Sequence, residues 1–180
     1  MKKSKLFFVL LAVAIIAGVV FKISYSSPKQ LDSITSPDGK ITATISEKSG
    51  NIIIETNRSN PLTIDTDHNI EYGCAAFSRD SRYLFVAGEK SGYGIIECRD
   101  FVENESFSIN TISIIRTSDE FTAFAADNGI EECHDRTVTV IDINEHSIAN
   151  LTYSFKDRNG KEYTPMVGVD LYNQRIEVFK

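Results

Sequence analysis

The chain has 180 residues, the length of one domain, and its 19 Lys and Arg against 25 Asp and Glu give a net charge of −6. Residues 1–27 contain four of the lysines and no acid, which leaves 15 Lys and Arg against all 25 Asp and Glu, a net charge near −10, in the rest of the chain. Such an acidic surface repels phosphate backbones, so we expect no nucleic-acid partner; basic proteins and divalent cations are tolerated, and the charge also keeps a domain soluble.

The N-terminus has the pattern of an export segment. Residues 1–5 (MKKSK) are basic, and residues 6–21 (LFFVLLAVAIIAGVVF) form a run of 16 apolar or small residues without a charge. A membrane anchor needs about 17–25 apolar residues, and residues 6–23 meet this length if the flanking Lys5 and Lys22 extend to the two membrane surfaces. We therefore predict a retained transmembrane helix that places the remainder outside the cytoplasm. The alternative is a cleaved signal peptide and a secreted or periplasmic protein.

Three parts of the chain follow from this pattern: a signal-anchor at residues 1–27, a tether at 28–35 and an extracytoplasmic domain at 36–180. Within the domain, runs rich in Ile, Val, Thr, Phe and Tyr alternate with Gly, Asn, Asp and Ser about every ten residues, which is typical of antiparallel strands. The sequence therefore predicts an all-β domain. The predicted strands are 41–46, 51–56, 71–77, 83–87, 93–98, 106–115, 121–126, 137–143, 149–155, 163–170 and 174–179.

One stretch of sequence occurs twice, at an offset of 42 residues. SPDGKITATISEKSGNIIIETNR, from residue 36, aligns without a gap with SRDSRYLFVAGEKSGYGIIECRD, from residue 78. Each copy is predicted as a turn followed by a hairpin: residues 41–46 pair with 51–56, and residues 82–88 pair with 93–98. A two-stranded unit cannot bury its apolar face alone, so we expect the copies to stack and share a core.

These repeats resemble WD-type and related β-propeller repeats. The turns SPDGK at 36–40 and FSRDSRYL at 77–84 are similar to the turn between the first two strands of a propeller blade, and TVIDI at 139–143 with Ser147-Ile148 resembles a third strand and exit turn. Residues 156–169 look like a degenerate last copy. The resemblance implies a propeller-like repeat domain whose loops form a binding surface on one face.

The length of the domain leaves its closure open. A period of 42 falls in the range of about 40–45 residues for a four-stranded blade, so about 145 residues hold only three and a half blades, whereas a closed ring has about 4–8. The alternatives are a four-bladed ring with a degenerate last blade, an open stack, or a β-sandwich of the same hairpins.

The sequence predicts no catalytic, cofactor-binding or metal site. Its three histidines (His68, His134 and His146) are scattered, and no G-x-S-x-G is present. The richest ligand cluster is EECHD at residues 131–135, but a structural zinc site needs about four ligands, and neighbours in an extended chain point to opposite sides. DTDHN at residues 65–69 lacks the glycine and the distal glutamate of a calcium loop.

The leading functional hypothesis is a membrane-tethered, extracytoplasmic module that binds another protein or a cell-envelope component without catalysis. The first alternative is an extracytoplasmic hydrolase that uses loop carboxylates such as Asp119, Glu131 or Glu132 with His134. The second is an envelope protein that neutralises a toxin with a basic surface. The partner's identity and the oligomeric state stay open.

The three cysteines test the strand assignment. In a plain meander Cys74 lies opposite Ala87 and Ala87 lies opposite Gly94, so Cys98 is about four residues further along and two strands away. That separation exceeds the roughly 7 Å that a disulfide allows between Cα atoms. We therefore predict that Cys74 and Cys98 are unbonded and that any disulfide uses Cys133; the pairing itself stays unknown.

Overall fold

The computed structural model describes residues 28–48, 51–58, 62–64, 71–90 and 93–180, and these residues form thirteen strands and two short helices. No helix within these ranges is long and apolar enough to cross a membrane. The predicted span at residues 6–23 lies outside the described residues. The elements in chain order are β1 Lys29–Thr35, β2 Thr42–Lys48, β3 Asn51–Thr56, β4 Leu62–Ile64, β5 Glu71–Phe77, β6 Tyr83–Lys90, β7 Tyr93–Asp100, β8 Glu105–Ile109, α1 Thr111–Arg116, α2 Asp119–Asp127, β9 Cys133–Ile143, β10 Ile148–Asp157, β11 Glu162–Tyr163, β12 Met166–Asp170 and β13 Arg175–Phe179.

The strands form three antiparallel meanders. The first meander is β1–β4 and makes a sheet of its own; the second is β5–β8; the third is β9, β10, β12 and β13, with β11 added at β10. The second and third meanders belong to one sheet because Tyr93 of β7 pairs with Val138 of β9 in parallel. The fold is thus predominantly β, as predicted, but the described residues form no closed propeller.

Both predicted hairpins are confirmed. β2 pairs antiparallel with β3, and β6 pairs antiparallel with β7. In each hairpin the last ladder pair, Lys48 with Asn51 and Lys90 with Tyr93, leaves a loop of two residues. Connections of this length are common in hairpins.

The short loop corrects the register predicted for the cysteines. Cys74 lies opposite Ala87, as predicted, but Ala87 lies opposite Ile96 and not Gly94, because the ladder continues beyond Gly88 to Lys90, which pairs with Tyr93. Cys98 therefore pairs with Phe85, one strand and two residues away from Ala87. All three cysteines are free thiols.

One predicted strand and half of another are wrong. Residues 121–126 and the second half of 106–115 are helical, in α2 and α1. The Asn110 side chain accepts a hydrogen bond from the Ser113 N–H, and the Ser118 side chain accepts one from the Phe121 N–H, so each helix has an N-cap. Phe121 and Phe124, three residues apart on α2, then share a face that packs on the third meander, with ring centroids 5.7 Å from Tyr153 and 5.1 Å from Phe179 respectively.

A third predicted strand, 163–170, divides into β11 and β12 at Pro165. The carbonyl of Pro165 accepts a hydrogen bond from the Tyr153 N–H at 3.0 Å, but proline has no N–H of its own to continue the ladder. The ladder with β10 is therefore interrupted at this residue and resumes at Met166, which pairs with Thr152.

The central part of β6, in the second meander, is buried on both faces. Leu84 and Val86 of β6 belong to a core shared with the first meander, while Phe85 and Ala87 belong to a core shared with the third meander and the helices. Alternate residues of a strand point to opposite faces, so the unbroken apolar run LFVA is the sequence of a strand between two layers. The three meanders thus form an open stack. The first core also contains Ile41, Ala43, Ile45, Ile52, Ile54 and Phe77, and the second contains Ile96, Cys98, Val138, Ala149, Leu151 and Tyr153.

Polar side chains occur on both outer faces of the stack, and the outer face of the third meander also exposes Met166 and Val178. Thr42 and Thr44, which stand 42 residues before Leu84 and Val86, lie exposed and partly exposed on the first meander. On the third meander, β10 alternates buried apolar residues with the partly exposed Asn150, Thr152 and Ser154. These three lie on the same face of the sheet as Gly168, which pairs with Asn150. A ring would have to bury the polar side chains of these two faces against each other, which favours an open stack over a closed one.

Candidate functional site

One end of the stack collects five chain reversals, which we call the turn edge. They are residues 36–41 after β1, 78–83 after β5, 100–105 after β7, 144–148 after β9 and 170–175 after β12. Antiparallel meanders reverse at alternate ends, β7 runs parallel to β9, and the Asp38 N–H bonds Ser81, so these five lie at the same end. The resemblance to propeller repeats implied a loop surface of this kind.

The turns after β1 and β5 are built alike. In the first, Ser36 Oγ donates to Asp38 Oδ1 at 2.6 Å, and the Lys40 N–H donates to the same oxygen at 3.1 Å. In the second, Ser78 and Asp80 make the same 2.6 Å hydrogen bond. The hydrogen bond from Ser36 is the main reason why the pKa of Asp38 falls to about 2. Both turns are therefore held by an ionised aspartate.

Hydrogen bonds join the turns of different meanders. The Asp38 N–H donates to Ser81 Oγ at 3.1 Å, linking the first meander to the second. Tyr172 Oη donates to Asp80 Oδ2, linking the third meander to the second. The turn edge is thus one connected surface and not a set of independent loops.

An ion pair fixes the middle of the turn edge. Arg82 donates to Asp100 Oδ2 from Nε at 3.0 Å and from Nη2 at 2.6 Å. Asp100 Oδ1 accepts from the N–H groups of Val102 and Glu103 at 2.8 and 3.1 Å. Asp100 is 4% exposed, and the hydrogen bond from Arg82 is the main reason why the pKa of its carboxyl falls to about 2. This single side chain holds both the arginine and the turn that follows β7.

The turn edge exposes large side chains on this rigid base. Val102 is 67% exposed and Tyr172 is 46% exposed. The Tyr172 ring packs edge-on against Tyr83 with centroids 4.8 Å apart, and the Arg82 guanidinium lies 4.9 Å from the Tyr83 ring centroid. Tyrosine and arginine are the side chains that protein interfaces favour.

A second candidate region lies between α1 and the start of β9. It is a cavity of about 640 Å³, which we call the arginine cavity because Arg116 of α1 and Arg136 of β9 both line it. Arg136 Nη2 donates to the Cys133 carbonyl at 2.6 Å, which anchors that side chain. Burial raises the pKa of the Cys133 thiol, and Arg136 and Arg116 oppose this rise. The other lining residues are Tyr93, Ile112, Cys133, His134, Asp135 and Thr137.

The residues suggested for a hydrolase do not converge. His134 lines the arginine cavity, but Asp119 lines a separate cavity of about 500 Å³ between the helices and β13. Glu132 Oε2 lies 3.3 Å from His134 Nε2, whereas Glu131 pairs with Arg158 at 3.8 Å. No group of three potential metal ligands occurs within the described part of the chain, and His68 with residues 65–69 lies outside it.

The cysteines differ in their surroundings, which predicts an order of reactivity. Cys98 is buried, and burial raises its pKa to about 12, while Cys74 and Cys133 are partly exposed. Because the thiolate is the reactive form, we expect iodoacetamide to modify Cys74 and Cys133 in the native protein at neutral pH and to modify Cys98 only after unfolding. Peptide mass mapping after timed alkylation measures this order. Modification of Cys98 as fast as the others would contradict the assigned burial.

Sequence reasoning missed the arginine cavity. Arg116 and Arg136 stand far apart in the chain, and the strand predicted over 106–115 gave no reason to bring them together. The N-caps Asn110 and Ser118 were the local signals that could have revealed the helices.

Searches for a matching protein-family model and for a similar curated protein find none for this chain.

Proposed function

We propose that the chain is a membrane-tethered, extracytoplasmic, non-catalytic binding module that recognises another protein or a cell-envelope component through its turn edge. The basic flank and apolar run of residues 1–23 supply the tether. The observation that carries the proposal is the connected turn edge with the exposed Val102 and Tyr172.

Rigidity is the physical reason to assign binding to this surface. A surface loses conformational entropy on binding if its loops must first become ordered. Here Asp38, Asp80 and Asp100 each hold a turn by accepting several hydrogen bonds, so the exposed side chains are already positioned. The charge of the turn edge says less about its partner, because these carboxylates are engaged within the domain.

The hydrolase alternative has less support. Asp119 and His134 line different cavities, and Glu131 is engaged by Arg158. A general base must lie within hydrogen-bonding reach of its partner or of one bridging water. The described residues offer one His134–Glu132 contact, exposed on both sides, as the basis for such chemistry.

A charge placed on the turn edge tests the proposal. We expect Val102→Lys to abolish capture of the partner, because a lysine in the centre of an apolar contact leaves a desolvated charge. The measurement is a pull-down with the full chain, solubilised in mild detergent from its own membranes, followed by quantitative mass spectrometry.

The control is Met166→Lys, at a residue 54% exposed on the outer face of the third meander and so similar in exposure. Proteins captured by wild type and Met166→Lys but lost with Val102→Lys support the turn edge as the interface. Equal capture by all three chains, with unchanged melting temperatures, would exclude it.

A further inference from the structure

The arginine cavity gathers two positive charges that have no carboxylate partner. Across the described ranges, neither Arg116 nor Arg136 lies within 4.0 Å of an Asp or Glu oxygen, although the chain has more acids than bases. The acid that lines the same cavity, Asp135, is engaged by Lys156 Nζ at 3.2 Å. Two unpaired guanidinium groups on one cavity in an acidic protein create a local site of positive potential.

One buried donor that lines this cavity, and one on the neighbouring strand β10, also lack partners. Tyr153 is 0% exposed, and its Oη has no hydrogen-bond partner in the part of the chain that the structure describes; the same holds for the buried Nε of Arg136. Tyr153 pairs with Val138, two residues along β9 from Arg136. An unsatisfied buried donor is costly, so an acceptor that reached Nε of Arg136 from the cavity would be bound favourably.

We propose that Arg116 and Arg136 form a binding site for an oxyanion, the carboxylate or phosphate group of a small ligand held in the arginine cavity. The guanidinium group presents a planar fork of N–H donors that matches a carboxylate or phosphate in a bidentate geometry. The volume of about 640 Å³ falls within the roughly 300–1,000 Å³ of small-molecule sites. This site is distinct from the turn edge and does not depend on its proposed role.

The thiol of Cys133 reports occupancy of the site, because Cys133 lines the cavity. The experiment measures the rate of Cys133 alkylation by the uncharged reagent iodoacetamide in the full chain. Inorganic phosphate, acetate and chloride are compared at equal ionic strength, with Cys74 on β5 as the internal reference. An anion between the arginines shields the thiol and removes the positive field that favours its thiolate, so both effects slow the reaction.

We expect phosphate or acetate at several times its Kd to slow alkylation of Cys133 by about fivefold or more, with Cys74 unchanged. Slowing by phosphate alone assigns a phosphate-bearing ligand, and slowing by acetate alone assigns a carboxylate. Arg116→Gln, on the exposed side of α1, is expected to abolish the effect, and Arg136→Lys to weaken it by loss of the fork. Arg58→Gln, at an exposed arginine that follows β3 in the first meander, should retain it.

Three results would overturn the site. Equal Cys133 rates in phosphate, acetate and chloride mean that no oxyanion binds. Protection that persists in Arg116→Gln means that the anion binds elsewhere. Equal slowing of Cys74 and Cys133 means a general effect of the salt. A failed pull-down with Val102→Lys has no bearing on these rates, so the two proposals fail separately.

Discussion

Replacing Asp100 by alanine is expected to lower the free energy of unfolding by about 2–3 kcal/mol, because hydrogen bonds to a charged group contribute about 1.5–3 kcal/mol. The substitution removes both contacts from Arg82 and both from the N–H groups of Val102 and Glu103. It also leaves Arg82, which is only partly exposed, with the distant Glu103 as its remaining acidic neighbour. Urea unfolding of the wild type and the variant at pH 7 measures the difference.

The matched control is Glu103→Gln, because Glu103 is exposed and its Oε1 lies 3.8 Å from Arg82 Nη2. Exposed pairs contribute little, so we expect a change below about 0.5 kcal/mol. A loss with Asp100→Ala no greater than with Glu103→Gln would show that the buried carboxylate does not hold the turn edge.

The stabilisation by Asp100 has a defined pH window. Its pKa is lowered to about 2 in the folded protein, against about 3.9 in an unfolded chain. A lowered pKa means that folding favours the charged form, so the stabilisation is complete above about pH 4 and is lost as pH falls towards 2. We expect the difference between wild type and Asp100→Ala to shrink over this interval.

Replacing Gly94 by alanine is expected to lower the free energy of unfolding by about 1–3 kcal/mol, the typical cost of overpacking. A Cβ atom at Gly94 would lie 2.8 Å from the Val138 carbonyl oxygen and 2.9 Å from Val138 Cγ1, and the carbonyl cannot move without shifting β9. The residue 42 positions earlier is Ile52, so the hairpin itself does not require glycine here. The requirement comes from β9, which lies against this position.

Gly73→Ala is the control, since a Cβ there would lie 3.5 Å from the Ala87 carbonyl oxygen, an ordinary van der Waals contact. Gly73 is also a strand glycine, so both substitutions have a similar effect on the unfolded chain. Both free energies come from urea unfolding. If Gly94→Ala lowers the free energy of unfolding no more than Gly73→Ala does, the second and third meanders do not make this close contact.

Local sequence was sufficient for the strands and hairpins of the second meander and their counterparts in the first. The LFVA run, the Ser-x-Asp turns and the Ser-Gly loops act over a few residues, and a strand's side-chain alternation needs no distant partner. For this reason β3 and β5 match their predicted bounds. The predicted register of the second hairpin is wrong by two residues. Register depends on the loop length, and the sequence is compatible with turns of more than one length.

Contacts between distant residues settled the rest. Apolar, Thr-rich residues 111–126 suit strand or helix alike, and the helices are selected by their caps and by Phe121 and Phe124 packing on the third meander. The order of the meanders in the stack depends on which of their faces are apolar. Leu84 and Val86 are buried against the first meander, whereas Thr42 and Thr44, the residues 42 positions earlier, lie on an outer face. The arginine cavity follows the same rule: α1 and β9 each contribute one arginine, and a site made by two separate elements exists only after both have packed on the same core.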